Sequence, residues 1–192
     1  MSPQEPPSER VLASRRIYDG RILKVREDTV ELADGRRARR EVVEHAEVVA
    51  IVPIDEAGQV LLVRQYRLPA GQALLEVPAG GVEPGESVEE AAQRELQEET
   101  GHRASRLQRL GGFFVSPGCS TEFTHLFLAT GLSQGDARAD ADEQIALDRL
   151  PLAEALRRVE AGEIQDGKTA IGLLLAAEKV KAFTIEQGPG SC

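Results

Sequence analysis

Tryptophan is absent from this chain, and aromatic residues make up only 4% of it. Its core must therefore rest on Val, Leu, Ile and Ala, and the 41% apolar content is enough for a globular domain. Cysteine is scarce. Cys119 and Cys192 are the two present, too few for a disulfide framework, and a reducing cytoplasmic setting is expected. No apolar run approaches the ~20 residues of a membrane span. The opening MSPQEPPSER holds prolines and charges where a secretory signal would hold an apolar stretch. An excess of positive charge is also missing. The net charge of −9 argues against nucleic acid or a membrane as partner. An anionic substrate would need local arginines or bound cations to enter such a field.

What the chain does contain is concentrated between Gly80 and Gly101, in GGVEPGESVEEAAQRELQEETG. Ser87 with Glu90 three residues on forms a capping box and predicts a helix start. Gly101 is the corresponding stop. Inside the helix, Glu95, Glu98 and Glu99 stand at i, i+3 and i+4, so three carboxylates share a face. Val88, Ala92 and Leu96 give the apolar edge. Like charges at this spacing cost roughly 0.2–0.5 kcal/mol per pair in an isolated helix. A hard divalent cation held by oxygen ligands would reverse that sign. Arg94, one turn before Glu98, can hold part of the array. The alternative is an acidic face in solvent, which the glycine turn ahead of the helix makes less economical.

The same residues resemble the Nudix box: Gly80, Glu86, Arg94, Glu95, Leu96, Glu98, Glu99 and Gly101 fill its places in register. The following place holds His102 where the box has an apolar residue, a departure expected to alter packing rather than chemistry. The resemblance implies an α+β chain with the Nudix fold, an α/β/α sandwich around a mixed sheet, and a magnesium-dependent pyrophosphohydrolase acting on nucleoside diphosphate derivatives. It implies that Glu95 and Glu99 bind Mg²⁺, or Mn²⁺ in its place. Glu98 would be a further ligand or a catalytic carboxylate working through a bound water, and the Ala79 carbonyl would complete the site. Gly80, Glu86, Arg94 and Gly101 would shape the box. Pro117, sixteen places after Gly101 in FFVSPGCSTEFTHLFLA, and the segments LLVRQYRLPAG and LLEVPAGG resemble the ADP-ribose pyrophosphatase subgroup. Other nucleotide sugars such as GDP-mannose are the alternative substrates, and a non-catalytic ADP-ribose-binding regulator is a more distant one. In that subgroup a loop glutamate acts as general base. Glu143, in DADEQI, takes that place, with Asp140 and Asp142 close by in the same string.

Other candidates follow from chemistry and position. Arg64 and Arg67 flank Tyr66 at the end of an apolar run and can bind phosphate oxygens as forks. Alternation puts residues 64 and 66 on one face, with residue 67 past the bend at Leu68-Pro69. The alternative for each arginine is a solvated edge. Glu76 is a candidate for a substrate ribose or a metal-held water, or else a buried partner of Arg94. Pro117 and Gly118, after Ser116, form a rigid turn suited to shaping a sugar pocket, and Glu122 is a candidate for ribose hydroxyls. Tyr18 and Tyr66 are expected in the core or an interface, with adenine stacking as the alternative. His45, His102 and His125 lack metal-ligand spacing. Arg36 to Arg40 is a basic run expected on a solvated strand or dimer edge, and Cys119 has no base near it in sequence.

For organisation, residues 1–10 and 186–192 read as disordered tails. Residues 11–46 read as an N-terminal antiparallel β region: ILKVRED, TVELADG and RRARREVV, with a hairpin at Asp34-Gly35. So few strands bury no core of their own, and the resemblance implies that they build a homodimer. Residues 47–185 read as the catalytic domain. Its expected strands are VVAIVPID, QVLLVRQYR, ALLEVPA, HLFLAT and QIALDRL, with helices over 87–101, 152–162 and 169–183.

Overall fold

The structure is a computed structural model that describes residues 8–135 and 145–186, with side chains to Lys181. It divides into two compact units. One comprises residues up to Glu47 together with Phe114–Phe123; the other comprises Val48–Phe113 and the chain from Thr124 on.

In the first unit, β1 (Arg10–Asp19), β2 (Lys24–Glu31) and β3 (Arg37–Glu44) form an antiparallel sheet in that order. The Asp34-Gly35 turn joins β2 to β3, with Gly35 at φ 81°, a conformation glycine adopts without cost. Two details differ from the expectation. KVRED and TVE belong to one strand, β2, with Ile22 and Leu23 ahead of it, and β1 is an additional strand. β1 escapes sequence reading because nine of its ten residues are exposed, so it has almost no buried face to create alternation. Its pairing to β2 brings ion pairs across the strands, among them Arg10–Glu31 at 3.0 Å and Arg15–Glu27 at 3.2 Å. The segment 114–123 joins this unit by a bridge at Val43 and Ser120. Val43 N–H donates to Cys119 O at 2.7 Å, and Thr121 N–H donates to Val43 O at 3.0 Å. Tyr18 is 57% exposed in its single chain, and Tyr66 of the second unit 59%, so neither is a core residue.

The second unit is the layered one. β4 (Val48–Pro53), β5 (Gln59–Arg67), β6 (Gln72–Glu76), β7 (Ala79–Gly81), α1 (Val88–Thr100), β8 (His102–Phe114), β9 (Phe123–Gln134), β10 (Ile145–Pro151), α2 (Leu152–Glu160) and α3 (Gly167–Glu186) follow in chain order. The mixed sheet runs β7-β4-β9-β8, with β4 parallel to β9 and antiparallel to β7; a second sheet runs β10-β5-β6. The continuous apolar runs of β4 and β9 reflect burial on both faces. Val49, Ile51, Phe127 and Ala129 pack on Ala91, Ala92 and Leu96 of α1. Ala50, Val52, Leu126 and Leu128 pack with Val60 and Leu62 of β5, Ala155 of α2, and Leu173 and Ala176 of α3. This is the expected α/β/α sandwich. β8 is an unexpected strand. It lies at the sheet edge and half of its pattern is Arg, Gln, Ser and Gly, so its few inward residues, such as Ala104, are too small to announce it.

Candidate active site

The site is built on α1 and the short strand facing it. Ser87 Oγ accepts the Glu90 N–H at 3.2 Å, and Glu90 Oε2 accepts the Ser87 N–H at 2.9 Å, so the capping box is complete. At the other end Gly101 lies at φ 70° and its N–H donates to Gln97 O at 2.9 Å. Burial of Ala91, Ala92 and Leu96 fixes the helix's rotation about its axis, which turns Glu95, Glu98 and Glu99 toward β7 and its loop.

Arg94 is the hub. Its Nε donates to Glu86 Oε1 at 2.9 Å and Nη2 to Glu86 Oε2 at 3.0 Å. Nη1 donates to Glu95 Oε1 at 2.7 Å and to Glu98 Oε2 at 3.0 Å, and Nη2 also reaches the Gly81 carbonyl at 2.8 Å. All five contacts need a planar, always charged fork, which lysine cannot supply. The bonds to Glu86 first, then Glu95 and Glu98, raise the Arg94 pKa against the opposing effect of burial. Reciprocally, Arg94 holds the Glu86 carboxyl below the usual carboxylate range.

The backbone of β7 closes against the carboxylates. Ala79 N–H donates to Glu99 Oε2 at 3.2 Å. A Cβ placed on Gly80 would overlap the Glu95 carboxyl group, so only glycine leaves room for Glu95 there. The acidic face is thus half-buried and ordered by contacts rather than free in solvent.

The donor set fits a hard divalent cation. Glu95, Glu98 and Glu99 offer carboxylate oxygens and β7 offers backbone carbonyls, with no thiolate or imidazole among them. Among the described residues, no three His, Cys, Asp or Glu side chains already form a cage. Arg94 Nη1 stands between Glu95 and Glu98, and a cation would take over part of its role.

Glu76 is 1% exposed, and its partners correct the expectation of a pair with Arg94. Arg67 donates Nε and Nη2 to its two oxygens at 2.7 and 2.9 Å, and Lys168 bonds it as well. Burial acts to raise the Glu76 pKa, but Arg67 and Lys168 outweigh burial and hold it below the usual range. Arg67 is also not past a bend: it is the last residue of β5, paired with Gln72. Its guanidinium is held charged by Glu76 first, against the opposing effect of burial, with smaller contributions from Glu99 and Asp166. Arg64 goes elsewhere. Its Nε and Nη2 meet Asp148 Oδ2 of β10 at 3.0 and 2.7 Å. The nonlocal pairing of Ala146 with Arg64 brings Asp148 within reach, and sequence spacing gives no sign of it.

Pro117, Gly118 and Glu122 belong to the 114–123 segment of the first unit. There Ser116 O accepts the Cys119 and Ser120 N–H groups at 3.1 and 2.8 Å, and the Glu122 N–H donates to Ser120 Oγ at 3.1 Å. Cys119 is exposed, with Ser116 Oγ 3.5 Å away. Glu143, with Asp140 and Asp142, lies outside the described residues. His102 is buried, with Thr100 O at 2.7 Å from Nδ1 and Arg149 Nη2 at 3.1 Å from Nε2. It therefore fills its place in the box as a hydrogen-bonded packing residue. Sequence reading missed Lys168, Asp166 and Thr169. The available signal was Asp166 three residues before Thr169, a cap for an apolar helix.

This box on this fold defines the class. The chain belongs to the Nudix family: the NUDIX domain model matches residues 44–169, and the model described as nucleoside diphosphate sugar hydrolase N-terminal domain matches residues 9–43. Among its relatives, an ADP-ribose pyrophosphatase of Bacillus subtilis (strain 168) is 36% identical, over 86% of this chain and 90% of that protein. An ADP-ribose pyrophosphatase of Mycobacterium tuberculosis (strain ATCC 25618 / H37Rv) is 40% identical, over 85% and 80%. A GDP-mannose pyrophosphatase of Yersinia enterocolitica serotype O:8 / biotype 1B (strain NCTC 13174 / 8081) is 37% identical, over 62% and 66%. A crystal structure of an ADP compounds hydrolase superposes with a TM-score of 0.83 at 27% identity, covering 95% of this chain and 98% of that one.

Proposed function

We propose that this chain hydrolyses the diphosphate bond of ADP-ribose to AMP and ribose 5-phosphate, with Mg²⁺ as cofactor and Mn²⁺ as a substitute. The observation that carries the reading is the Arg94 hub, which gathers Glu86, Glu95 and Glu98 while Gly80 and Ala79 press on Glu95 and Glu99. Relatives named ADP-ribose pyrophosphatase across most of the chain support the substrate. Glu95, Glu99 and Glu98, with the Ala79 carbonyl, would hold the cation. Mg²⁺ bound there supplies charge neutralisation for the phosphates and the departing oxygen. Arg67, held by Glu76 at the end of β5, orients phosphate oxygens from the strand side. Glu76 keeps Arg67 in place. Arg64, engaged with Asp148 at the surface, contributes to phosphate attraction at longer range. Glu143 is the general base that takes the proton from the attacking water, and Glu143→Gln is its test.

The protein acts as a cytoplasmic homodimer in this reading. Support comes from the first unit, where Val11, Ile17, Tyr18 and Ile22 are exposed apolar residues on or beside β1. Among the described residues no helix is long and apolar enough to cross a membrane. The second substrate reading, GDP-mannose, is favoured by the relatives bearing that name. The deciding experiment is a Mg²⁺-dependent screen of ADP-ribose, GDP-mannose and other nucleoside diphosphate derivatives with products weighed by mass. AMP plus ribose 5-phosphate as the preferred products supports the proposal. GMP plus mannose 1-phosphate in preference replaces it with the second reading, and no turnover of any diphosphate rejects both.

A further inference from the structure

The mechanism above makes no use of Lys168, yet this residue is tied into the site from behind. It is the second residue of α3, and its Nζ bonds Glu76 Oε2 and, at 2.9 Å, Asp166 Oδ1. Asp166 Oδ2 in turn accepts the Thr169 N–H at 2.9 Å and the Thr169 hydroxyl proton. Thr169 Oγ1 accepts the Val77 N–H at 2.8 Å. The start of α3 therefore grips both Glu76 and Val77, at the end of β6 that leads through Pro78 to Ala79. Pro78 O is pinned as well, accepting the Ile51 N–H at 2.9 Å.

The charges in this group are two carboxylates, Glu76 and Asp166, and two cations, Arg67 and Lys168. Glu76 is 1% and Lys168 18% exposed at the side chain, so solvent screens them little. Arg67 spends Nε and Nη2 on Glu76, and its guanidinium makes no other hydrogen bond among the described residues. Its remaining N–H groups lie outside that pair. Removing Lys168 would leave two carboxylates to one arginine. Arg67 would then be the remaining cation bonded to Glu76, and Glu76 would lose the second contact that fixes its plane.

We infer that Lys168 is a positioning residue for diphosphate recognition: by bonding Glu76 from the α3 side, it sets the orientation and available charge of Arg67. This rests on the reading of Arg67 as a phosphate-orienting group, and the experiment separates the two. Steady-state hydrolysis of ADP-ribose at saturating Mg²⁺ is measured for the wild type, Lys168→Met, Lys168→Arg, Arg67→Ala and the Arg67→Ala/Lys168→Met double variant. Lys168→Met raises KM about tenfold, the size typical of losing an orienting partner, with a smaller change in kcat. Lys168→Arg restores most of it. In the Arg67→Ala background Lys168→Met adds nothing, because the two act as one unit.

If Lys168→Met lowers kcat and the melting temperature at unchanged KM, or keeps its full effect in the Arg67→Ala background, Lys168 is structural and the inference is overturned. If Arg67→Ala raises KM while Lys168→Met changes nothing, the inference fails and the Arg67 reading stands. If Arg67→Ala leaves KM unchanged, the Arg67 reading fails and takes the inference with it.

Discussion

Nine of the ten residues of β1 are exposed, whereas five of the six residues of β4 are buried. Both are strands, and both pair along their length, but different forces keep them in place. β1 is held by main-chain bonds and by charged pairs such as Arg15–Glu27, whose arginine is 71% exposed. Pairs of this kind contribute little singly, since water competes for both partners. β4 is held by apolar packing on both faces, with α1 on one side and α3 and β5 on the other. The carboxylates of the candidate site belong to the second regime. Their helix is locked by buried Ala91, Ala92 and Leu96, so side-chain positions that chemistry requires are set by packing. The first unit instead leaves the apolar residues Val11, Ile17, Tyr18 and Ile22 exposed.

This contrast can be broken at measurable points. The largest effect is expected from Glu99→Gln. The substitution removes a carboxylate proposed to hold the cation while retaining size, and Mg²⁺-dependent hydrolysis should fall about a thousandfold with an unchanged melting curve. Retention of activity within a factor of a few would remove Glu99 from the site. Gly80→Ala comes next: its methyl group displaces the Glu95 carboxyl, and activity should drop about a hundredfold while the fold survives. Equal kcat for this variant and the wild type would show that Glu95 has room to move.

In the core, Leu96→Ala should cost about 3 kcal/mol, roughly 10 °C in melting temperature, as a cavity opens under α1. A loss below a degree would mean that packing does not set the helix. The acid response tests the other regime. Asp28 is held below its usual range by Ser14 first and then Arg26, and Glu44 by Arg16 and Arg26. Depressed carboxyls stabilise the fold above the ordinary carboxylate range near about 4 and lose that contribution as pH falls through their lower folded values. Below about pH 4, amide protection should therefore vanish from β2 and β3 before it does from β4 and β9. Simultaneous loss in both would place the carboxylates outside the first unit's stability. The smallest effect is expected from Arg15→Ala, whose melting temperature should stay within about 2 °C of the wild type. A shift as large as that of Leu96→Ala would abolish the distinction between the two regimes.

The capping box, Gly101 stop, acidic face and Gly80 were legible in the chain itself, as was the run of strands from β4 to β6. Each depends on neighbours within a helical turn or on alternation along a strand, so spacing suffices. β8 was not legible, because an edge strand with Ala104 as its inward anchor leaves almost no apolar signature. Nor was the partner of Glu76. The sequence offered Arg94, eighteen places away, as a plausible pair, while the folded chain supplies Arg67 across the β5–β6 ladder and Lys168 from α3.

The sequence alone determined the identity of the box, because the required groups lie on consecutive turns of one helix and their relative geometry follows from backbone periodicity. Tertiary structure alone decided which carboxylate each of two neighbouring arginines meets. Arg64 and Arg67 are three residues apart and chemically identical. Strand register sends one to Asp148 on β10 and the other to Glu76 on β6, and register is a property of strands meeting in space, not of any stretch of chain.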